Sequence, residues 1–305
     1  MRVYLTENKN AELRGDLILT LIKRTDLTPI PSTIEMVARA NNDIMPFLEQ
    51  GKIIAVGDES VRYKIVFKAI LTPKGTKANG NPNYDIIKVI ALLEGAYELA
   101  FLKDRAIIKE NTSLGSVFKA CGGKFAIKKD IKIDRFNCLI GEYPSFSFMR
   151  ALGKHAATIH WDGKNSIEFL RLKDLFTQKP IEQIPIASTQ EVQSGFIERH
   201  ETPAYYSNAK NGAIIKSKAK QGRRSLYEMF ADSQILNNLS TYLLIKRIWT
   251  TDLTVNINAG DLLEVENESY VVVTATHALT KVDSGSGGGL SRFWLAQISK
   301  TFSKA

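Results

Sequence analysis

The chain carries four histidines, His155, His160, His200 and His277, the residue type best suited to acid–base or zinc chemistry. His155 and His160 do not share a helical face and lack the HExxH spacing that lets two imidazoles grip one zinc. A hairpin would bring His160, Asp162 and Glu168 together, the one arrangement a metal or a proton-transfer pair could use. Asp162 precedes a glycine between alternating apolar residues, however, and is better explained as a turn former. The glycines of 285–289 lack the Lys-Ser/Thr and following helix that cradle phosphate, and there is no Gly-x-Ser-x-Gly nucleophile elbow. No carboxylate pair stands out as one for glycoside hydrolysis. Two cysteines, Cys121 and Cys138, are too few for a disulfide framework or a four-sulfur metal site and read as buried thiols. No catalytic, cofactor-binding or metal-binding residue is therefore assigned, and no enzymatic activity is expected.

Charge gives a second kind of candidate. There are 41 Lys and Arg against 32 Asp and Glu, a net charge of +9, which permits an anionic partner without choosing one. Lys124, Lys128, Lys129 and Lys132 form one basic cluster. Lys216, Lys218, Lys220, Arg223 and Arg224 form another, an anionic-partner or interface patch. On a strand, Lys216, Lys218 and Lys220 would line one face, where they could meet phosphates. No aromatic residues interleave with these charges, so a solvated or inter-subunit face is the preferred reading over nucleic-acid binding.

The elements that would position these residues are mostly short strands. Strands are expected at 3–5, 15–25, 34–38, 52–56, 61–71, 84–92 and 96–101, with Pro29 and Pro31 breaking the chain and an exposed loop at 73–83. A capped helix follows Thr112 or Ser113, with Leu114, Val117 and Phe118 on its apolar face and Gly122-Gly123 as its stop. Pro144-Ser145 opens a second helix with Phe148, Leu152 and Ala156 inward, and an Asp-Gly hairpin follows over 158–172. Beyond it, 184–214 reads as a connector with strands, 225–244 as a helix weakened by Asn237-Asn238, and 212–217, 243–249 and 253–257 as extended. The runs 262–265 and 270–276 make a hairpin about 266–269, and a glycine-rich loop at 283–289 leads to a closing strand at 291–298.

This pattern implies a mainly β (α+β) chain. An N-terminal β-barrel would span 1–104, a small α/β module 105–180 and a second β-barrel 181–305. The composition, 44% hydrophobic and 24% charged, is that of a folded globular protein. No apolar run is long enough for a membrane helix and the N-terminus has no signal-peptide core, so no membrane anchor and synthesis in the cytoplasm are expected.

Three stretches resemble the hub proteins of contractile bacteriophage tails, the family of late-control D proteins and type VI secretion spike hubs. They are SVFKACGGKFAI, YPSFSFMRALGKHAATIHWDGKNSIEF, and NINAGDLLEVENESYVVVTATHAL with the closing GGGLSRFWLAQI. The resemblance implies a structural baseplate hub adaptor in the virion, assembled in the host cytoplasm. It would be a homotrimer whose paired barrels present six similar units, joining a hexameric tail tube to a trimeric central spike. Tail tube, spike and other baseplate proteins would be its partners, and nucleic acid would only pass through its channel. Loops 73–83 and 283–289 are candidate interface loops. No lysozyme-like or β-helical segment follows the closing strand, so a separate spike would supply the tip. The rival readings are a basic nucleic-acid-binding protein with barrel domains and a tail-associated cell-wall hydrolase.

Overall fold

The computed structural model describes the chain except residues 9–10, 72–83, 193–202, 210, 219–223, 230, 281–287 and 300–305. The N-terminal strands are β1 (Val3–Leu5), β2 (Ala11–Glu12), β3 (Ile18–Asp26), β4 (Ser32–Ala40), β5 (Ile53–Val56), β6 (Arg62–Ile70) and β7 (Asp85–Leu93). Strict alternation along β4 puts Ile34, Met36 and Ala38 in the core and Glu35 and Val37 on the wetter face. Next come β8 (Ile107–Ser113), helix α1 (Leu114–Ala120), β9 (Ala126–Lys129), β10 (Lys132–Cys138), helix α2 (Pro144–Lys154), β11 (Ala157–Trp161) and β12 (Ser166–Arg171). The rest comprises β13 (Glu182–Ile184), β14 (Thr189–Glu191), β15 (Ala204–Asn208), β16 (Ile214–Lys216), β17 (Ser225–Tyr227), helix α3 (Ser233–Leu239), β18 (Leu243–Asp252), β19 (Leu262–Val265), β20 (Glu268–Thr280) and β21 (Gly288–Ile298). The protein is thus mostly β with few helices.

One sheet of 13 strands runs through both halves, in the order β14-β18-β21-β20-β3-β4-β7-β6-β5-β1-β2, with β19 paired to β20 and β13 to β19. β20 makes the join. Its first residues pair with β19, from Val265↔Glu268 to Leu262↔Val271, and its last pair with β3, from Thr274↔Asp26 to Thr280↔Thr20. A bulge at Val273 separates the two stretches. Further bulges at Leu19, Val66 and Lys246 leave one extra residue each in β3, β6 and β18. Bulges bend a strand and increase its twist, so each half of the sheet is curled by two of them.

The stretch from β8 to β12 is built around phenylalanines. Phe118 of α1 has its ring centroid 6.1 Å from Phe148 of α2, 6.2 Å from Phe169 of β12 and 6.3 Å from Phe125. Ser113 caps α1 by accepting from the Ser116 N–H. Gly122 ends it at φ +100°, where a β-carbon would also stand 2.6 Å from the Glu98 β-carbon. The core of this stretch is continuous with that of β1–β7, whereas β18–β21 enclose a separate cluster around Trp249, Leu263, Val272 and Phe293.

Several sequence expectations are corrected. Residues 96–101 are not a strand: Glu94–Ala100 is a 3-10 turn that buries Ala96 and Leu99, three apart on one side. The strand expected at 15–25 begins only at Ile18, after a 3-10 turn over Gly15–Leu17. Ala156 lies past the end of α2 at φ +44°, and Ala151 takes its place on the buried face. Residues 253–257 are loop, held by side-chain hydrogen bonds rather than by a ladder. The helix expected over 225–244 is only α3, flanked by β17 and β18. Asn237 and Asn238 end up as ties, one accepting from the Lys218 N–H at 2.7 Å and the other donating to the Lys154 carbonyl at 2.9 Å.

Candidate assembly surfaces

β11 and β12 do bring His160 opposite Glu168, with Nδ1 and Oε2 3.9 Å apart. Asp162 points elsewhere. It accepts from the Lys164 and Ser166 N–H groups, both at 3.0 Å, from the Ser166 hydroxyl, and from Lys128 Nζ at 2.9 Å. Burial works to raise the Asp162 carboxyl, but these donors hold it well below the usual carboxylate range. His160 also fills the space over Gly260, where a β-carbon would stand 2.3 Å from its Cδ2. The hairpin is therefore clamped to the 258–261 loop, and the three residues do not converge on a common point. Among the described residues no cluster of three or more His, Cys, Asp or Glu could hold a metal ion.

His277 is fully buried. Its Nε2 lies 3.0 Å from the Ile257 carbonyl, so that nitrogen carries the proton, and Nδ1 lies 2.9 Å from Ser291 Oγ. Ser291 Oγ in turn accepts from the Thr254 N–H at 2.8 Å. This buried relay pins the 253–257 loop onto β20 and β21. Burial, then the charge of Lys23, pushes the His277 pKa down to about 4. Burial, with Cys138 beside it, raises the Cys121 thiol to about 12, which keeps it protonated and unreactive. Lys23 itself is lowered by burial and lies 5.5 Å from the Trp161 ring centroid.

The two basic clusters fare differently. In the first, Lys128 pairs with Asp162 at 2.9 Å and Lys129 with Glu168 at 3.5 Å, so much of its charge is answered within the chain. In the second, Lys216, Lys218 and Arg224 are exposed, while Lys220 and Arg223 lie outside the described residues. Of the two candidate interface loops, 73–83 lies wholly outside the described residues. Only Gly288 and Gly289 of the second are described, paired with Thr280 and Leu279.

Sequence reasoning missed two surfaces. One is apolar and sits at the start of α2: Leu139, Ile140, Tyr143, Phe146 and Met149 are exposed, Ile140 by 70% and Phe146 by 67%. Periodicity flagged only the buried side of this helix. An apolar patch of this kind commonly marks a protein contact. The other surface is a cleft of about 980 Å³ between α2 with β10 and the β15–β17 sheet with α3. Lys154 and Glu228 form an ion pair at 2.8 Å between its two sides.

No protein-family model and no curated protein matches the chain. Its fold, however, is found in solved structures. A tail protein from Neisseria meningitidis MC58 superposes with TM-score 0.64 at 10% identity, covering 97% of this chain and 95% of that one. The 43 kDa tail protein of prophage MuSo2 from Shewanella oneidensis gives 0.60 at 12% identity, covering 94% and 95%. The E. coli c3393 protein gives 0.55 at 11% identity, covering 94% and 75%. That protein is a component of the type VI secretion system, similar in structure to the T4 bacteriophage tail proteins gp27 and gp5. At these identities the likeness is one of fold.

Proposed function

We propose that the chain is a structural component of a phage tail, a baseplate hub adaptor without enzymatic activity. The observation that carries the reading is the end-to-end superposition on the Neisseria tail protein, which leaves almost none of either chain unmatched. In this reading the β1–β7 run and the β18–β21 run are two barrel-like units, with the α/β module set outside them. Three chains then offer six comparable units in a ring. That solves a symmetry problem, because a sixfold tube can contact each unit while a threefold spike contacts each chain. Function follows from shape, which fits a chain whose buried His277 serves a loop and whose exposed Asp162 serves a turn. The exposed apolar patch on α2 also favours an assembled state over a free monomer.

Sedimentation velocity tests the reading directly. A species of three times the chain mass is expected, with a ring around a channel in negative-stain images. A monodisperse monomer at every concentration would overturn it. Clearing of peptidoglycan by the purified chain would replace it with the hydrolase reading.

A further inference from the structure

We propose that the exposed face of the β16–β15–β17 sheet binds single-stranded nucleic acid, stacking bases on Tyr206 and Tyr227 and holding phosphates with Lys216 and Lys218. The sequence separates these residues, and the sheet brings them together. Strand register places Tyr206 of β15 beside Lys216 of β16 on one side and Tyr227 of β17 on the other. All three therefore stand in one row on one face. The two tyrosine rings lie with centroids 5.4 Å apart, tilted by 57°.

The opposite face is spent on the fold. Ser207 is fully buried there and accepts from the Ala231 N–H at 3.1 Å, and α3 packs against β15 and β16. The tyrosine face stays open: Tyr227 is 48% exposed, Ile214 64%, and Lys216 is exposed, with exposed Lys218 just beyond the end of β16. Among the described residues of this sheet and its flanks, 203–229, Glu228 is the one carboxylate, and it is held by Lys154. The face thus presents π-surfaces and positive charge that no carboxylate among the described residues pairs with. A neutral glycan would leave the lysines unused and an acidic peptide would leave the rings unused. A single strand with unstacked bases uses both.

The test measures anisotropy of a fluorescein-labelled 20-residue oligo-dT with the full chain at 50 and 200 mM NaCl. Two phosphate contacts should weaken binding about sevenfold over that fourfold rise in salt. Tyr227→Ala should weaken it about tenfold. Lys216→Glu should do at least as much, and should flatten the salt dependence. Lys173→Glu makes the same charge change at an exposed lysine on another surface and should leave binding within twofold. Circular dichroism confirms that each variant is folded, and the exposed Lys216→Glu keeps the test decisive if Tyr227→Ala is not. No binding, equal loss in the Lys173→Glu chain, or binding indifferent to salt and to Tyr227 would overturn the proposal. So would a preference for a neutral oligosaccharide or a poly-glutamate peptide over the oligonucleotide. None of these outcomes bears on whether the chain forms a trimeric hub.

Discussion

The two ends of the long sheet are held in different ways. The β1–β7 run shares its core with the β8–β12 stretch, so one apolar cluster extends from Val3 to Phe169. The β18–β21 run has a smaller cluster of its own and buried polar contacts, with His277, Ser291 and Ser299 all nearly inaccessible. The seam between them has an apolar part, where Leu27, Leu170 and Leu175 pack with Ala259, Leu262 and Val271, and a polar part. Thr25 Oγ1 accepts from the Ala259 N–H at 3.0 Å, and the Thr274 hydroxyl donates to Asp26 at 2.6 Å. Apolar burial is non-directional and can fuse neighbouring units into one. Buried hydrogen bonds are directional and fix a loop or a seam at one register.

The largest effect expected is in the shared cluster. Phe118→Ala removes a fully buried ring that touches three others and should cost about 3–5 kcal/mol. If the cluster is truly continuous, amide exchange will quicken in β3–β7 and β11–β12 together and not in β18–β21. Quickening confined to α1 would show that the β8–β12 stretch does not share that cluster.

Acid should single out the other end. His277 has a folded pKa of about 4 against an ordinary 6.5, so between those values the unfolded chain binds a proton that the folded chain refuses. Its contribution is complete above pH 6.5, shrinks as pH falls towards 4, and totals about 3 kcal/mol. Urea midpoints for the wild type and for His277→Asn should therefore differ in pH slope across that window. Parallel slopes would remove His277 as the acid-sensitive part of the C-terminal run.

A smaller change probes the seam. Thr25→Val keeps the shape but leaves the Ala259 N–H without its acceptor, and should cost about 2 kcal/mol in thermal or urea unfolding. A neutral result would mean that the β3–β20 ladder and the apolar cluster around Leu27 and Leu262 hold the halves without it. Smallest is the turn between β19 and β20, where Glu266 and Asn267 both take positive φ, 48° and 65°. Such a two-residue turn favours Asn-Gly, so Glu266→Asn with Asn267→Gly should stabilise the chain by about 0.5 kcal/mol. A loss instead would indicate that the Glu266 side chain matters to this run.

Much of this was legible from one-dimensional pattern. Alternation located β19 and β20, apolar runs between breakers located β4 and β7, Pro29 and Pro31 marked the break between β3 and β4, and Thr112 or Ser113, Gly122 and Pro144 marked helix ends. These signals work because capping, φ restriction and side-chain alternation act within a few residues. The errors fell where distant contacts win. The Asn237-Asn238 pair looks like a weak helix until Lys218 and Lys154 supply partners, and 253–257 looks like a strand until His277 and Ser291 claim its backbone.

The candidate surfaces divide in the same way. Composition and spacing fixed the basic stretch around Lys216, the buried thiols and the use of Asp162 as a turn residue, since each depends on local chemistry. Only the folded chain decided that Tyr206, Lys216 and Tyr227 share a face, because strand pairing joins residues regardless of their separation in sequence. The same holds for the union of the two halves: β20 is one strand in the sequence, but its partners on either side of the Val273 bulge come from opposite ends of the chain.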